Sequence, residues 1–278
     1  MQAEPPASTL SLVATDELGF LKVAQSTSPA TNHLQCVRRW GKADKSRGIE
    51  RLALLPSSDA GPDLAAVGRS NGDVDILACQ HGTQARLLSC TTAGKVRVHE
   101  GSHQAAAGEA GAADSSMAWQ QVAEWQAAQV PVCCAAVSSE AGLAAVGCRG
   151  SELSLWNIST QQKAFQAKGA KPNKLGLMDP PWNSALAFVP AAAGRKLFVG
   201  TGHHKLRLYD VGRARPVLNV DFGEGRLTCL APLSGGDSCW AADSTGRVQI
   251  LDARTNKPQS SLKGAGGAVL ARMDDLFT

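Results

Sequence analysis

The side chains best suited to chemistry are the pair His203-His204, the acids Asp210 and Asp252, and eight cysteines. Adjacent histidines could ligate a metal or relay a proton. Neighbours along an extended chain point to opposite faces, so this pair is poorly placed to hold one ion. Asp210 and Asp252 each close an apolar run, where a carboxylate is expected to accept hydrogen bonds from turn backbone. The cysteines are Cys36, Cys79, Cys90, Cys133, Cys134, Cys148, Cys229 and Cys239. No two have C-x-x-C spacing, so no zinc site is indicated, and most lie in apolar runs as small buried residues. That usage favours a reducing compartment. There is no G-x-x-x-x-G-K phosphate loop and no recognisable Ser-His-Asp context. The expectation is a chain without catalytic residues, metal or cofactor.

The element that must position these residues is LFVGTGHHKLRLYDV, from Leu197 to Val211. It reads as two strands around a turn, with Leu206 in, Arg207 out and Leu208 in. His203 and His204 fall in the turn. The same phrase recurs at Leu10–Gln25, Leu64–Ala78, Leu87–Glu100, Leu143–Ile158 and Ser238–Arg254. Several copies end in a large apolar residue plus Asp or Asn: Trp156-Asn157, Tyr209-Asp210 and Leu251-Asp252. Repetition of this kind resembles the WD repeat, whose four-stranded blades stack into a β-propeller. An all-β sandwich would explain the short strands but not the repeated phrase.

Spacing adds detail. The first inward residues of the closing strands are Leu21, Val74, Val96, Leu153, Leu206 and Val248, at intervals of 53, 22, 57, 53 and 42. A blade takes about 40–45 residues, so the interval of 22 is too short. The expected fold is all-β, a seven-bladed WD-repeat propeller over 1–278 with a third blade short by about two strands. LKGAGGAVLA after Asp252 reads as the opening of a seventh blade that is mostly missing, so the chain is expected to be a truncated form.

Three connecting segments stand out. Cys36–Arg51 carries Arg38, Arg39, Lys42, Lys45, Arg47 and Arg51. It reads either as a solvated loop or as an electrostatic contact for RNA or an acidic protein. Gly101–Met117 is rich in Ala, Gly and Ser and is expected to be a flexible insertion. Phe165–Trp182 mixes Lys168, Lys171 and Lys174 with Leu175, Leu177 and Met178, an unusual mixture for a plain linker. Expected partner contacts are Lys168, Lys171, Asn173, Leu175, Leu177, Trp182, His203, His204, Lys205, Arg207, Arg254 and Lys263. Trp182 is also expected to serve stability. Net charge of +4 is mild and does not by itself argue for nucleic acid. No apolar run is long enough for a membrane helix, and no secretory signal is visible.

FQAKGAKPNKLGLMDPPWNSALAF, VGTGHHKLRLYDVGRARPVLNVDFGEGRLTCL and LKGAGGAV, in that order, resemble the WD repeat-containing protein 74 family and its fungal counterparts. The resemblance is close from about Leu143 to Val269. It implies a non-catalytic scaffold in large (60S) ribosomal subunit biogenesis and rRNA processing, working in the nucleus and nucleolus. Implied partners are pre-60S assembly factors, neighbouring rRNA and an AAA-type ATPase that releases the protein from the particle. No membrane or small-molecule substrate is implied. This chain departs from the family at Asn173-Lys174 and Gly176-Leu177, and is expected to lack the family's complete seventh blade and basic tail. The alternative is a generic WD-repeat interaction scaffold in another nuclear or cytoplasmic complex.

Overall fold

Short apolar runs broken by small turn residues form antiparallel hairpins, and the hairpins assemble into small sheets. A computed structural model describes residues 11–15, 21–26, 34–40, 49–55, 64–69, 74–78, 84–103, 117–172, 175–233, 235–236 and 238–262. The chain divides into two compact units, Met1–Ala85 and Arg86–Thr278.

The first unit holds two three-stranded sheets. Sheet one is β1 (Ser11–Thr15), β2 (Leu21–Ser26) and β3 (Leu34–Trp40). Sheet two is β4 (Ile49–Leu55), β5 (Leu64–Arg69) and β6 (Val74–Ala78). The basic segment 36–51 is therefore not all loop, because Arg38 and Arg39 belong to β3 and Arg51 to β4.

At the division begins sheet three: β7 (Gln84–Cys90), β8 (Lys95–His103) and β9 (Met117–Gln126). The ends of the Ala/Gly/Ser-rich insertion are thus in strands, and its middle lies outside the described residues. Three four-stranded sheets follow. Sheet four is β10 (Val132–Ser138), β11 (Leu143–Cys148), β12 (Ser154–Asn157) and β13 (Lys163–Gln166). Sheet five is β14 (Asn183–Phe188), β15 (Lys196–Thr201), β16 (Lys205–Asp210) and β17 (Leu218–Asp221). Sheet six is β18 (Leu227–Pro232), β19 (Ser238–Asp243), β20 (Val248–Asp252) and β21 (Lys257–Leu262). The fold is all-β and of the β-propeller type.

All six repeated phrases are hairpins: β1–β2, β5–β6, β7–β8, β11–β12, β15–β16 and β19–β20. The short interval has a divided cause. Among the described residues, sheet two lacks a strand after β6 and sheet three lacks one before β7. Among the described residues the third sheet is therefore short by one strand rather than the expected two, the other falling to sheet two. Of the proposed start of a seventh blade, Leu262 is the last residue of β21, and residues 263–278 lie outside the described residues.

Within the second unit, consecutive sheets pack face to face, with β10 beside β14 and β14 beside β18. This approach needs small residues. A Cβ on Gly147 would meet Asn183 at 2.9 Å, and one on Gly200 would meet Leu227 at 2.7 Å. Both glycines are on second strands, and both contacts are on the first strand of the next sheet. The first strands themselves carry an irregular register near their second residue, between Val132 and Cys134, Asn183 and Ala185, and Leu227 and Cys229. Such bulges re-aim a strand locally.

The hairpin turns repeat one clasp. Thr91, Thr201 and Asp243 accept from the backbone N–H four residues on: Lys95 at 3.1 Å, Lys205 at 2.9 Å and Arg247 at 3.0 Å. At the far end of each third strand the acidic or amide residue accepts as expected. Asn157 takes the N–H of Thr160, Asp210 that of Gly212 and Asp252 that of Arg254. The described cysteines are free thiols. Burial raises Cys90 to about 11 and pushes Cys239 up strongly, so these thiols stay protonated as apolar filler.

Candidate docking surface

β16 carries the centre of the site. Its side chains do alternate, but both faces are covered. Leu206 and Leu208 pack with Leu227, Leu230 and Leu251 of sheet six. Tyr209 packs with Leu153 and Leu155 beside sheet four. Arg207, expected to point outward, is 4 % exposed and lies on the same face as Tyr209. A strand sandwiched between two sheets has no solvent face, so period-2 alternation does not mark an exposed side here.

A buried guanidinium needs partners. Arg207 donates from Nε to Asn219 Oδ1 at 3.1 Å, within its own sheet. Its Nη1 lies 3.9 Å from Glu152 Oε2, in the turn before β12. Its Nη2 lies 4.0 Å from Asp179 Oδ2, in the loop between sheets four and five. Asp179 is itself gripped by Lys205 Nζ at 2.8 Å. The hydrogen bond from Lys205 is the largest influence holding Asp179 below the usual carboxylate range. Glu152 is pushed the other way by burial, with Arg207 opposing. Burial also raises Tyr209 to about 12, so its hydroxyl stays neutral. It donates to the carbonyl of Lys168 at 3.4 Å.

Around this network the loop 167–182 is stitched down at both ends. At its start, Lys168 N–H donates to Ala214 O at 2.6 Å, and Arg215 Nη1 donates to Gly169 O at 2.8 Å. At its end, Gly150 N–H donates to Pro181 O at 2.8 Å and Gly202 N–H to Trp182 O at 2.9 Å. The indole of Trp182 lies flat under the Arg149 guanidinium at 4.5 Å and edge-on to His203, 5.7 Å between ring centres. A Cβ on Gly202 would fall 2.0 Å from the indole, so only glycine fits. Between the stitched ends, Leu175, Leu177 and Met178 are exposed.

The expected contact residues are therefore not one cluster. Lys168, Lys171, Leu175 and Leu177 lie on the loop's exposed stretch. Trp182, His203 and Lys205 anchor its end, and Arg207 anchors it from below. His204 turns away in a left-handed conformation (φ 50°), with Nε2 3.6 Å from Asp221. Arg254 belongs to the turn after β20, where its N–H caps Asp252. Asn173 and Lys263 lie outside the described residues. Arg149, Glu152, Asn219 and Arg215 join the network without having been singled out. Only Asp179 stood inside a segment already marked by its composition. The described residues contain no group of three or more His, Cys, Asp or Glu placed to hold a metal ion.

No protein-family profile matches the chain. Curated relatives do. The chain is 31% identical over 128 residues to human WD repeat-containing protein 74, and 30% identical over 130 residues to the bovine protein. The mouse protein matches at 31% over 120 residues. These matches support the resemblance to WD repeat-containing protein 74 that the sequence carries. The human and bovine matches take in 45% and 46% of this chain, and the chain spans about a third (33%) of the length of each relative. Among solved structures, the computationally designed Ika8 protein superposes with a TM-score of 0.57 over 94% of this chain and 74% of that one. At 15% identity that likeness speaks to the fold alone.

Proposed function

We propose that this WD repeat-containing protein 74 relative is a non-catalytic docking scaffold in large ribosomal subunit biogenesis. It acts on pre-60S particles in the nucleolus, beside assembly factors and rRNA, and an AAA-type ATPase releases it. The observation that carries this reading is the loop between sheets four and five. It is tied into the fold by Asp179, Trp182 and Arg215, yet it presents large apolar and cationic side chains outward. Such a surface is built to be touched rather than to react. Lys168 and Lys171 supply charge at the contact, and ionic contacts of this kind weaken with salt.

The test is affinity purification of the tagged chain followed by gradient sedimentation. The expected result is a nucleolar protein co-sedimenting with 60S precursors and their assembly factors. A cytoplasmic protein free of rRNA and of large-subunit precursors would favour a generic WD-repeat scaffold in another complex.

A further inference from the structure

Six large apolar side chains are exposed among the described residues, and three of them fall within four consecutive positions: Leu175 at 81%, Leu177 at 64% and Met178 at 66%. Val122, Val137 and Val217 are scattered along the chain and need no explanation. The cluster is carried by a backbone fastened on either side, at Gly169 by Arg215 and at Asp179 by Lys205. A pre-positioned apolar group loses less freedom on docking than a loose one.

The chemistry around the cluster selects the partner. Lys168 and Lys171 are exposed, and so is Arg215, which spans to the loop's carbonyls at Gly169 and Ala170. The nearest described carboxylate in the loop, Asp179, is already neutralised by Lys205 at 2.8 Å. The outward field is therefore cationic. Single-stranded nucleic acid is gripped by aromatic planes on which bases stack. Two leucines and a methionine offer no such plane. They fill pockets lined by other apolar side chains.

Resting on the docking function above, we infer that Leu175, Leu177 and Met178 form a knob that enters an apolar groove on a protein partner. The rim of that groove is lined by carboxylates, which pair with Lys168 and Lys171. RNA is not the occupant. The apolar knob supplies most of the grip, and the cations supply orientation and encounter rate.

The test places the photoreactive residue benzoylphenylalanine at Met178 of the tagged full chain and maps the cross-linked segment by mass spectrometry. The expected product is a protein segment with apolar residues flanked by Asp and Glu, formed equally after ribonuclease treatment. Its yield falls at least about tenfold in Leu175→Ser/Leu177→Ser, as expected of an interface centre. It falls several-fold in Lys168→Glu/Lys171→Glu, or when salt is raised from about 0.1 M to about 0.5 M. All these side chains are exposed, so the variants should unfold at the parent's temperature. A ribonuclease-sensitive product, a basic target segment, unchanged yields in the variants or no cross-link at all overturns the knob. If precursor co-sedimentation survives without the cross-link, the knob fails and the scaffold stands. If the cross-linked protein is acidic-rimmed but foreign to large-subunit precursors, the knob stands and the ribosomal reading fails.

Discussion

The two faces of sheet five are built on opposite terms. Toward sheet six it presents Phe198, Leu206 and Leu208, which pack with Leu227, Leu230 and Leu251. Toward sheet four it presents Leu197, Val199 and Tyr209, and buries Arg207 among them. The first face gains stability chiefly from apolar burial, at about 25 cal/mol per Å², with Ser184 Oγ donating to Leu227 O at 2.6 Å across it. The second accepts a buried cation, which contributes little net stability but fixes which groups must surround it. Those groups come from the turn before β12, from β17 and from the interblade loop. The polar face is therefore the one that can position a functional surface, and the apolar face is the one that holds the sheets together.

The contrast can be broken from either side. Phe198→Ala on the apolar face should cost about 3–5 kcal/mol, read from the denaturant midpoint, because a fully buried ring leaves a cavity. Gly202→Ala should cost about 1–3 kcal/mol by forcing the Trp182 indole off its seat, and should redshift its fluorescence as water reaches it. Arg207→Met, which strands the half-buried Glu152, should cost about 1–3 kcal/mol, and adding Glu152→Gln should recover much of the loss. A matched loss in the double variant would mean that the two residues are not coupled.

Smaller still are two opposed slopes with pH. Asp179 titrates lower in the fold than in the unfolded chain. Its contribution is present above the ordinary aspartate value of about 3.9 and disappears as pH falls through the folded value. Glu152 titrates higher in the fold, so the native state binds the extra proton. Its contribution declines as pH rises from the ordinary glutamate value of about 4.3 through the folded value. Stability measured from about pH 3 to 7 should lose the rising part in Asp179→Asn and the falling part in Glu152→Gln. Lys205→Gln, at a partly exposed ion pair, should change stability by less than about 1 kcal/mol.

The repeat was readable because its marks are local. Tyr209-Asp210 and Leu251-Asp252 close third strands, and the carboxylates cap the turns immediately after them. Arg207 is buried despite its place in the alternation, because alternation tells which side chains share a face, not whether that face meets water. The interval of 22 points to two absent strands but does not say on which side of the gap each falls, and among the described residues they divide between sheets two and three. The anchors Arg149 and Glu152 left no trace at all. Their significance comes from Trp182 and Arg207, which are dozens of residues away in the chain and adjacent only after two sheets have packed.

That last circumstance gives the loop a place in time. Arg207 cannot find Glu152 and Asp179 together until sheets four and five have docked, so the tether belongs to the final stage of assembly rather than to either hairpin. Amides of Gly150 and Gly202, which clasp Pro181 and Trp182, should then exchange with solvent through openings that leave β11–β12 and β15–β16 protected. A nascent chain would carry its leucines on a slack segment, and present them in a fixed pose only after the two sheets have met.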